Sequence, residues 1–181
     1  HLRALSSYSL SESSLKINNL VSLAKKNDMP ALAITDNNNM FGAFEFAQEC
    51  ISNNLQPIIG SSINFIDIKK NNIYSQVTFL VKNNIGYQNL LKLSSHSHVN
   101  NNNIIGIDFE LIKKYSEGLY CFIGGEKNPL LQINHDNKKE IYQIIERFKK
   151  IFEDNFLFEI QRINDQSIDI FENKFISLAK K

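Results

Sequence analysis

The sequence has 181 residues, of which 43% are hydrophobic and 22% are charged, and its formal net charge is +1. This is the composition of an ordinary globular domain, and the length suffices for one sizeable core. The near-neutral charge argues against a broad basic surface for nucleic acid. No apolar run approaches the roughly 20 residues that a membrane-spanning helix requires, so no membrane partner is predicted.

The two cysteines, Cys50 and Cys121, lie far apart and lack the spacing of a zinc or redox motif. We expect both to be buried free thiols, and a reducing cytoplasm is the predicted location. The sequence has no signal-peptide pattern, and it begins with His1 rather than methionine. We therefore expect one partial domain, residues 1–181, excised from a longer chain.

Extended and helical patterns alternate along the chain. Ser13 and Ser14 are candidate caps of a first helix, in which apolar residues recur at helical spacing from Ile17 to Ala24. A polar turn between two extended stretches predicts a β-hairpin of residues 62–68 and 73–81. The other predicted strands are 1–5, 31–35, 56–60, 118–125 and 156–161. The other predicted helices are 40–53, 86–95, 108–115, 138–152 and 168–179, with a loop at 100–103.

The predicted helix 40–53 carries Phe41, Phe44 and Ala47 on one stripe. Together with Phe46 and Tyr87, these aromatic residues have the spacing of helical faces that pack into a core. We therefore interpret them as packing residues and not as a surface for stacking bases.

Strand–helix alternation at this spacing predicts an α/β fold with parallel strand pairs, either an open doubly wound sheet or a (β/α) barrel. In both folds, functional side chains follow the carboxyl ends of the strands. The positions that follow the predicted strands hold two carboxylates, Glu12 and Asp36, and neither histidine nor cysteine. A metal hydrolase needs several such ligands, so this rim is predicted to be chemically quiet.

Each candidate also has a structural interpretation. Asp36 is placed to cap the following helix or to turn the chain after its strand, and Glu12 is placed as a solvated or capping carboxylate. His96 and His98 form a His-x-His pattern, but residues two apart on a helix do not share a face. The glycine pair Gly124–Gly125 suits either a tight turn or an anion cradle.

Six segments then carry a family resemblance: HLRALSSYSLSES, MPALAITDNNNMFGAFEF, PIIGSSINF, GYQNLLKLSS, SEGLYCFIGG and FLFEIQR. In this order they resemble the amino-terminal PHP (polymerase and histidinol phosphatase) domain of bacterial DNA polymerase III alpha subunits. The resemblance runs through nearly the whole chain. It implies part of a distorted (β/α) barrel of PHP type, truncated at the C-terminal end.

The resemblance also implies which positions correspond to the metal ligands of intact PHP domains. Arg3 and Leu5 stand where those domains have a His-x-His pair, and Glu12 stands where they have an aspartate. Their Thr-Asp-His motif is matched by Thr35 and Asp36, followed by Asn37 in place of the histidine.

At the later positions, Ser62 corresponds to a glutamate ligand and Gly125 to a cysteine. Arg162 is retained, whereas Ile163 stands where a histidine often follows it.

Leucine and glycine have no side-chain donor, arginine is cationic, and neutral Asn and Ser are weak metal ligands. We therefore expect neither a catalytic residue nor a metal or cofactor in this segment, with Glu12 and Asp36 as vestigial candidates. We further expect the guanidinium of Arg3 to replace a metal ion by pairing with Asp36 or Glu12.

The resemblance implies an N-terminal domain of a DNA-directed DNA polymerase, itself a non-catalytic structural and subunit-interaction module. Implied partners are other polymerase III holoenzyme subunits, including the proofreading exonuclease subunit, and DNA through the parent chain, which is expected to use magnesium. One alternative is an active metal-dependent phosphoesterase or proofreading 3'-5' exonuclease that uses Asp36 and Glu12. Another is a sugar or phosphate binder at the glycine-rich strand ends.

Overall fold

The computed structural model describes residues 1–67, 74–99, 105–131, 133, 137–161 and 176. Within these ranges, helices and strands alternate as the sequence predicts. The helices are α1 (Ile17–Lys26), α2 (Ala43–Ser52), α3 (Asn84–Val99), α4 (Phe109–Lys114) and α5 (Lys138–Phe152). The strands are β1 (Ala31–Ile34), β2 (Gln56–Ile66), β3 (Tyr74–Val81), β4 (Leu119–Gly124) and β5 (Phe156–Glu159).

The five strands form one mixed sheet in the order β1-β2-β3-β4-β5. The β1–β2 and β4–β5 pairs are parallel, as predicted from strand–helix alternation. The β2–β3 pair is antiparallel, which confirms the hairpin, and β3–β4 is antiparallel as well. The sheet therefore combines the predicted parallel pairs with the predicted hairpin, and the antiparallel β3–β4 pair is the one pairing among the described strands that the sequence did not indicate.

Strand β2 is one continuous strand where the sequence predicts two. Its first part, Gln56 to Ile59, pairs with β1, and its second part, Gly60 to Ile66, pairs with β3. The sequence predicts a strand end at Gly60, whereas the strand continues there and changes its partner from β1 to β3. Ser61 and Ser62, predicted to follow a strand, therefore lie inside one.

The amino-terminal segment is held against β1 without forming a regular strand, so the strand predicted at 1–5 is not present. The backbone N–H groups of Ala33 and Thr35 donate to the carbonyls of His1 and Ala4 over 3.1 and 2.8 Å. The following residues turn back on themselves, and the segment places its serines above the carboxyl end of β1.

The first helix is confirmed, but its predicted serine caps are wrong. Helix α1 begins after Lys16, and no side chain caps it. The Ser13 hydroxyl instead donates to the carbonyl of Leu5 at 3.0 Å. By contrast, α4 and α5 lie where they are predicted, and the side chains of Asp108 and Asn137 accept from backbone N–H groups in their first turns.

Helix α2 turns a different face to the core from the one predicted. Ala43, Phe46 and Cys50 are buried, whereas Phe41 and Phe44 are 76% and 72% exposed. The two sets cannot both face inward, because Phe44 lies about 160° around the helix from the buried Phe46.

Two apolar clusters stabilise the sheet. The smaller packs α1 and α2 on β1 and the start of β2, and the larger packs α3, α4 and α5 on β2 to β4. Cys50 and Cys121 are buried free thiols, as predicted. No helix among the described residues is long and apolar enough to cross a membrane. The predicted loop 100–103 and helix 168–179, with Arg162 and Ile163, are outside the described residues, apart from residue 176, which is helical.

Candidate functional site

Asp36 lies at the end of β1, where an α/β enzyme would place a functional carboxylate, and it is only 2% exposed. Its Oδ1 accepts from the backbone N–H of Ser6 at 2.7 Å and from the Ser9 hydroxyl at 2.6 Å. Its Oδ2 accepts from the Ser6 hydroxyl at 2.7 Å. These short bonds satisfy a buried charge without a cation, and they tie the amino-terminal segment to the sheet.

The interpretation of Asp36 as a helix cap is wrong. Helix α2 begins after Gly42, and the Asp36 carboxylate faces the serines instead. The backbone carbonyl of Asp36 accepts from the Ser61 hydroxyl at 2.8 Å and from the Ser62 N–H at 3.1 Å. Asp36 therefore joins the amino-terminal segment, β1 and β2.

Asn37 and Glu12 meet at the same rim. The Asn37 amide donates to Glu12 Oε2 at 2.6 Å, and the other oxygen of Glu12 accepts from the ammonium of Lys127 at 3.1 Å. The side chains of Lys127 and Glu12 are 50% and 41% exposed, so solvent screens this ion pair. Glu12 is thus exposed, as predicted, but it has a cationic partner.

Asn37 Oδ1 is buried and has no hydrogen-bond partner among the described residues. It would be one available donor for a cation, but the nearby carboxylate of Glu12 already has a lysine. A hard divalent cation requires several oxygen ligands, and a single amide oxygen does not supply them.

Ser62, which corresponds to a glutamate ligand in the family, is fully buried. Its hydroxyl shares a 2.9 Å hydrogen bond with the hydroxyl of Thr78 on the neighbouring strand. This is a contact between side chains of neighbouring strands.

Arg3 does not pair with Asp36 or Glu12, so that expectation is wrong. Its guanidinium donates to Glu159 at the end of β5 over 3.0 Å, and both side chains are about one-fifth exposed. Gln161 donates to the other oxygen of Glu159 at 2.8 Å. The guanidinium thus contacts the other edge strand of the sheet, β5, and not the rim that holds Asp36.

Arg3 and Leu5 also line a cleft of about 760 Å³. Its lining further includes Thr78, Phe122, Glu159 and Gln161. The only carboxylate among these lining residues is Glu159, which is the partner of Arg3. The cleft thus lies near two positions for which the resemblance implies histidines, and its lining includes one histidine, His1, beside the paired Glu159.

Neighbouring groups occupy the space around the glycine pair Gly124–Gly125. Gly124 pairs with Glu159 in the β4–β5 ladder, and a Cβ there would overlap the backbone of Glu159. Gly125 adopts φ 71°, and a Cβ there would lie 3.0 Å from the guanidinium of Arg3 and 2.6 Å from the Gln161 amide oxygen. Neither glycine presents an open cradle for an anion.

His96 and His98 lie at the end of α3 and contact different groups. His96 shares a 3.3 Å contact with the hydroxyl of Tyr115, and His98 lies 2.6 Å from the carbonyl of Asn38. Their separate partners agree with the prediction that they do not act together.

The described residues do not fit a metal centre. Across these ranges, no three His, Cys, Asp or Glu side chains come together to hold an ion. Asp36 accepts from three donors, Glu12 is paired with a lysine and Glu159 with an arginine. Cations and hydroxyl groups of the protein occupy the carboxylates that a metal would use.

Sequence reasoning identified Asp36 and Glu12 but missed several of their partners. Ser6 and Ser9 lie between the predicted strand 1–5 and the candidate caps Ser13 and Ser14, where no pattern marked them. Lys127 and Glu159 carried no signal, because their contacts span more than a hundred residues.

Comparison with known proteins identifies the family of the chain. The family model of the PHP domain matches residues 1–163. The chain is 37% identical to the DNA polymerase III subunit alpha of Rickettsia conorii, over 99% of this chain and 15% of that protein. It is 35% identical to the corresponding subunit of Borreliella burgdorferi, over 100% of this chain and 17% of that protein. The chain thus spans about one-sixth of the length of these relatives.

A solved structure shows the same fold. An amidohydrolase from Chromobacterium violaceum, with bound sulfate and no metal, superposes with a TM-score of 0.52 over 85% of this chain and 73% of that chain, at 10% identity. This likeness supports a barrel-type α/β fold. On the family match, which covers most of its length, the chain belongs to the PHP domain family.

Proposed function

We propose that this chain is the amino-terminal PHP module of a replicative polymerase of the DNA polymerase III alpha type. In this proposal it is a structural and subunit-interaction module, and it hydrolyses no phosphate ester. Support for the polymerase assignment comes from relatives at 35–37% identity that are DNA polymerase III alpha subunits. DNA synthesis, its magnesium and the contacts with DNA then belong to other parts of a cytoplasmic parent protein.

The observation that carries the non-catalytic assignment is the enclosure of Asp36. A catalytic or metal-binding carboxylate needs free lone pairs directed at substrate or metal. Three of the roughly four acceptor sites of the Asp36 carboxylate are instead taken by short hydrogen bonds from Ser6 and Ser9. The carboxylate acts as a fixed anchor for the amino-terminal segment.

The test uses the full-length parent protein and a simple phosphodiester, bis-p-nitrophenyl phosphate, with Mn²⁺ or Zn²⁺. We expect no hydrolysis that depends on this domain, and we expect its removal to weaken assembly with other replication subunits. Turnover that is abolished both by a chelator and by Asp36→Ala would overturn the non-catalytic assignment in favour of a phosphoesterase or proofreading nuclease.

A further inference from the structure

An exposed apolar face lies on the outer side of α2. Phe41, Phe44 and Ile51 are 76%, 72% and 65% exposed. The spacing of Phe44, the exposed Gln48 and Ile51 places them along one side of the helix, and Phe41 lies in the turn just before it. Large apolar side chains grouped in this way mark interaction surfaces, whereas single exposed ones are ordinary.

Tyr8 extends this face toward the rim that holds Asp36. Its ring lies against Gly42, where an added Cβ would come within 2.8 Å of a ring carbon. Its hydroxyl donates to Glu45 at 2.9 Å, and this bond raises the pKa of the phenol. The contacts hold Tyr8 beside the first turn of α2 and fix its orientation.

An acidic edge borders the apolar residues. Glu45 and Glu49 lie one turn apart on α2, and the helix carries neither lysine nor arginine. Glu45 accepts from Tyr8, and Glu49 accepts from Asn53 at 3.1 Å. In the described part of the chain, the nearby Lys25 contacts the Asn53 amide at 3.3 Å instead of either carboxylate. Both glutamates thus keep uncompensated negative charge beside the aromatic residues.

The negative charges of Glu45 and Glu49 indicate which class of partner this surface can bind. A nucleic acid would bring its phosphates against Glu45 and Glu49, which disfavours base stacking on Phe41 and Phe44. Two copies of this face would also bring their acidic edges together. A protein segment with apolar side chains flanked by Lys or Arg complements both features.

We propose that the outer face of α2 and the turn before it, formed by Tyr8, Phe41, Phe44 and Ile51 with the acidic edge, docks a segment of a separate protein subunit that carries apolar side chains flanked by Lys or Arg. A polar Gln48 and a charged border suit a non-obligate contact between chains, since permanent interfaces are more uniformly apolar. The proposal rests on the interaction role proposed above and adds the surface and the chemistry of its partner.

The test uses the full-length parent polymerase with the purified replication subunits of the same organism. A photoreactive p-benzoylphenylalanine at position 44 captures whatever lies against α2, and mass spectrometry identifies the cross-linked peptide. The same residue at position 85 is the control, because Ile85 is 49% exposed on α3. We expect position 44 to cross-link an apolar segment of another subunit that contains Lys or Arg, and position 85 to give no such product.

Binding measurements give the second arm. Phe41→Ser with Phe44→Ser should weaken assembly by about ten-fold or more, as loss of central aromatic residues does. Glu49→Lys should weaken it several-fold, with a shallower dependence on salt. Phe41 and Phe44 face solvent, so the melting temperature of their double variant should stay unchanged.

Cross-links to DNA, to a second copy of this chain or to the rest of the same chain would overturn the proposed partner. Unchanged assembly of the Phe41→Ser/Phe44→Ser variant, when removal of the whole domain abolishes assembly, would overturn the surface and leave the proposed function standing. Unchanged assembly after removal of the whole domain would overturn the proposed function itself.

Discussion

Replacing Ser6 and Ser9 by alanine should destabilise the fold strongly. Each substitution removes one hydrogen bond of 2.6–2.7 Å to the buried carboxylate of Asp36. A hydrogen bond to a charged group contributes about 1.5–3 kcal/mol. We therefore expect each single variant to lose about 2 kcal/mol of unfolding free energy and the double variant about 3–5 kcal/mol.

The magnitude of this loss is decisive because a domain of this size has a total stability of about 5–15 kcal/mol. The double variant would leave the Asp36 carboxylate with only the Ser6 N–H among its described donors. Shared contacts make the two effects non-additive, so the double variant must be measured and not summed from the singles.

The assay is urea unfolding of the 181-residue chain, followed by circular dichroism. Ser95→Ala is the matched control, because its hydroxyl donates to the Leu91 carbonyl on an exposed helix surface. We expect the control to change stability by less than about 0.5 kcal/mol. A double Ser6→Ala/Ser9→Ala variant that loses less than about 1 kcal/mol would refute the anchoring role of Asp36.

Three further predictions concern the backbone and the thiols. Glu153 follows α5 with φ 49° and ψ −122°, a conformation that glycine adopts more readily. Glu153→Gly should therefore raise the free energy of unfolding, measured in urea, by about 1 kcal/mol. Unchanged or lower stability would contradict this prediction. Gly86→Ala should lower the melting temperature and cost about 1–3 kcal/mol, because a Cβ at position 86 would overlap the carbonyl oxygen of Gly118. Burial, with a smaller effect of Glu49, raises the pKa of the Cys50 thiol from 9.0 to about 11. Because the pKa of the Cys50 thiol is higher in the folded than in the unfolded chain, its contribution to stability is complete below pH 9 and should fall as the pH rises from 9 to 11. Unfolding in alkaline buffers measures this decline, and Cys50→Ala should flatten it.

Much of the local structure could be predicted from the sequence. The amphipathic pattern of α5 and the aspartate before α4 are local signals, and both helices lie where they predict. The division of β2 between two neighbouring strands is not a local property, so Gly60 was mistaken for a strand end. Which face of α2 is buried likewise depends on where α1 and the sheet lie.

The candidate site was predicted in position but not in contacts. The periodic patterns placed Asp36 at a strand end, and the family resemblance marked Asn37 as a lost histidine. Which cation pairs with which carboxylate depends on how the chain folds. Folding brings Lys127 to Glu12 and Arg3 to Glu159. The serines around Asp36 satisfy its charge at close range, and Arg3 pairs with Glu159 at the other edge.

The most direct test of the account is the metal content of the purified full-length protein, measured after dialysis against trace Mn²⁺ and Zn²⁺ for the wild type and for Asp36→Ala. The account predicts no stoichiometric metal that depends on Asp36, because hydroxyl groups and cations of the protein already occupy the carboxylates of the described rim. Tightly bound stoichiometric metal that is lost in Asp36→Ala would contradict it.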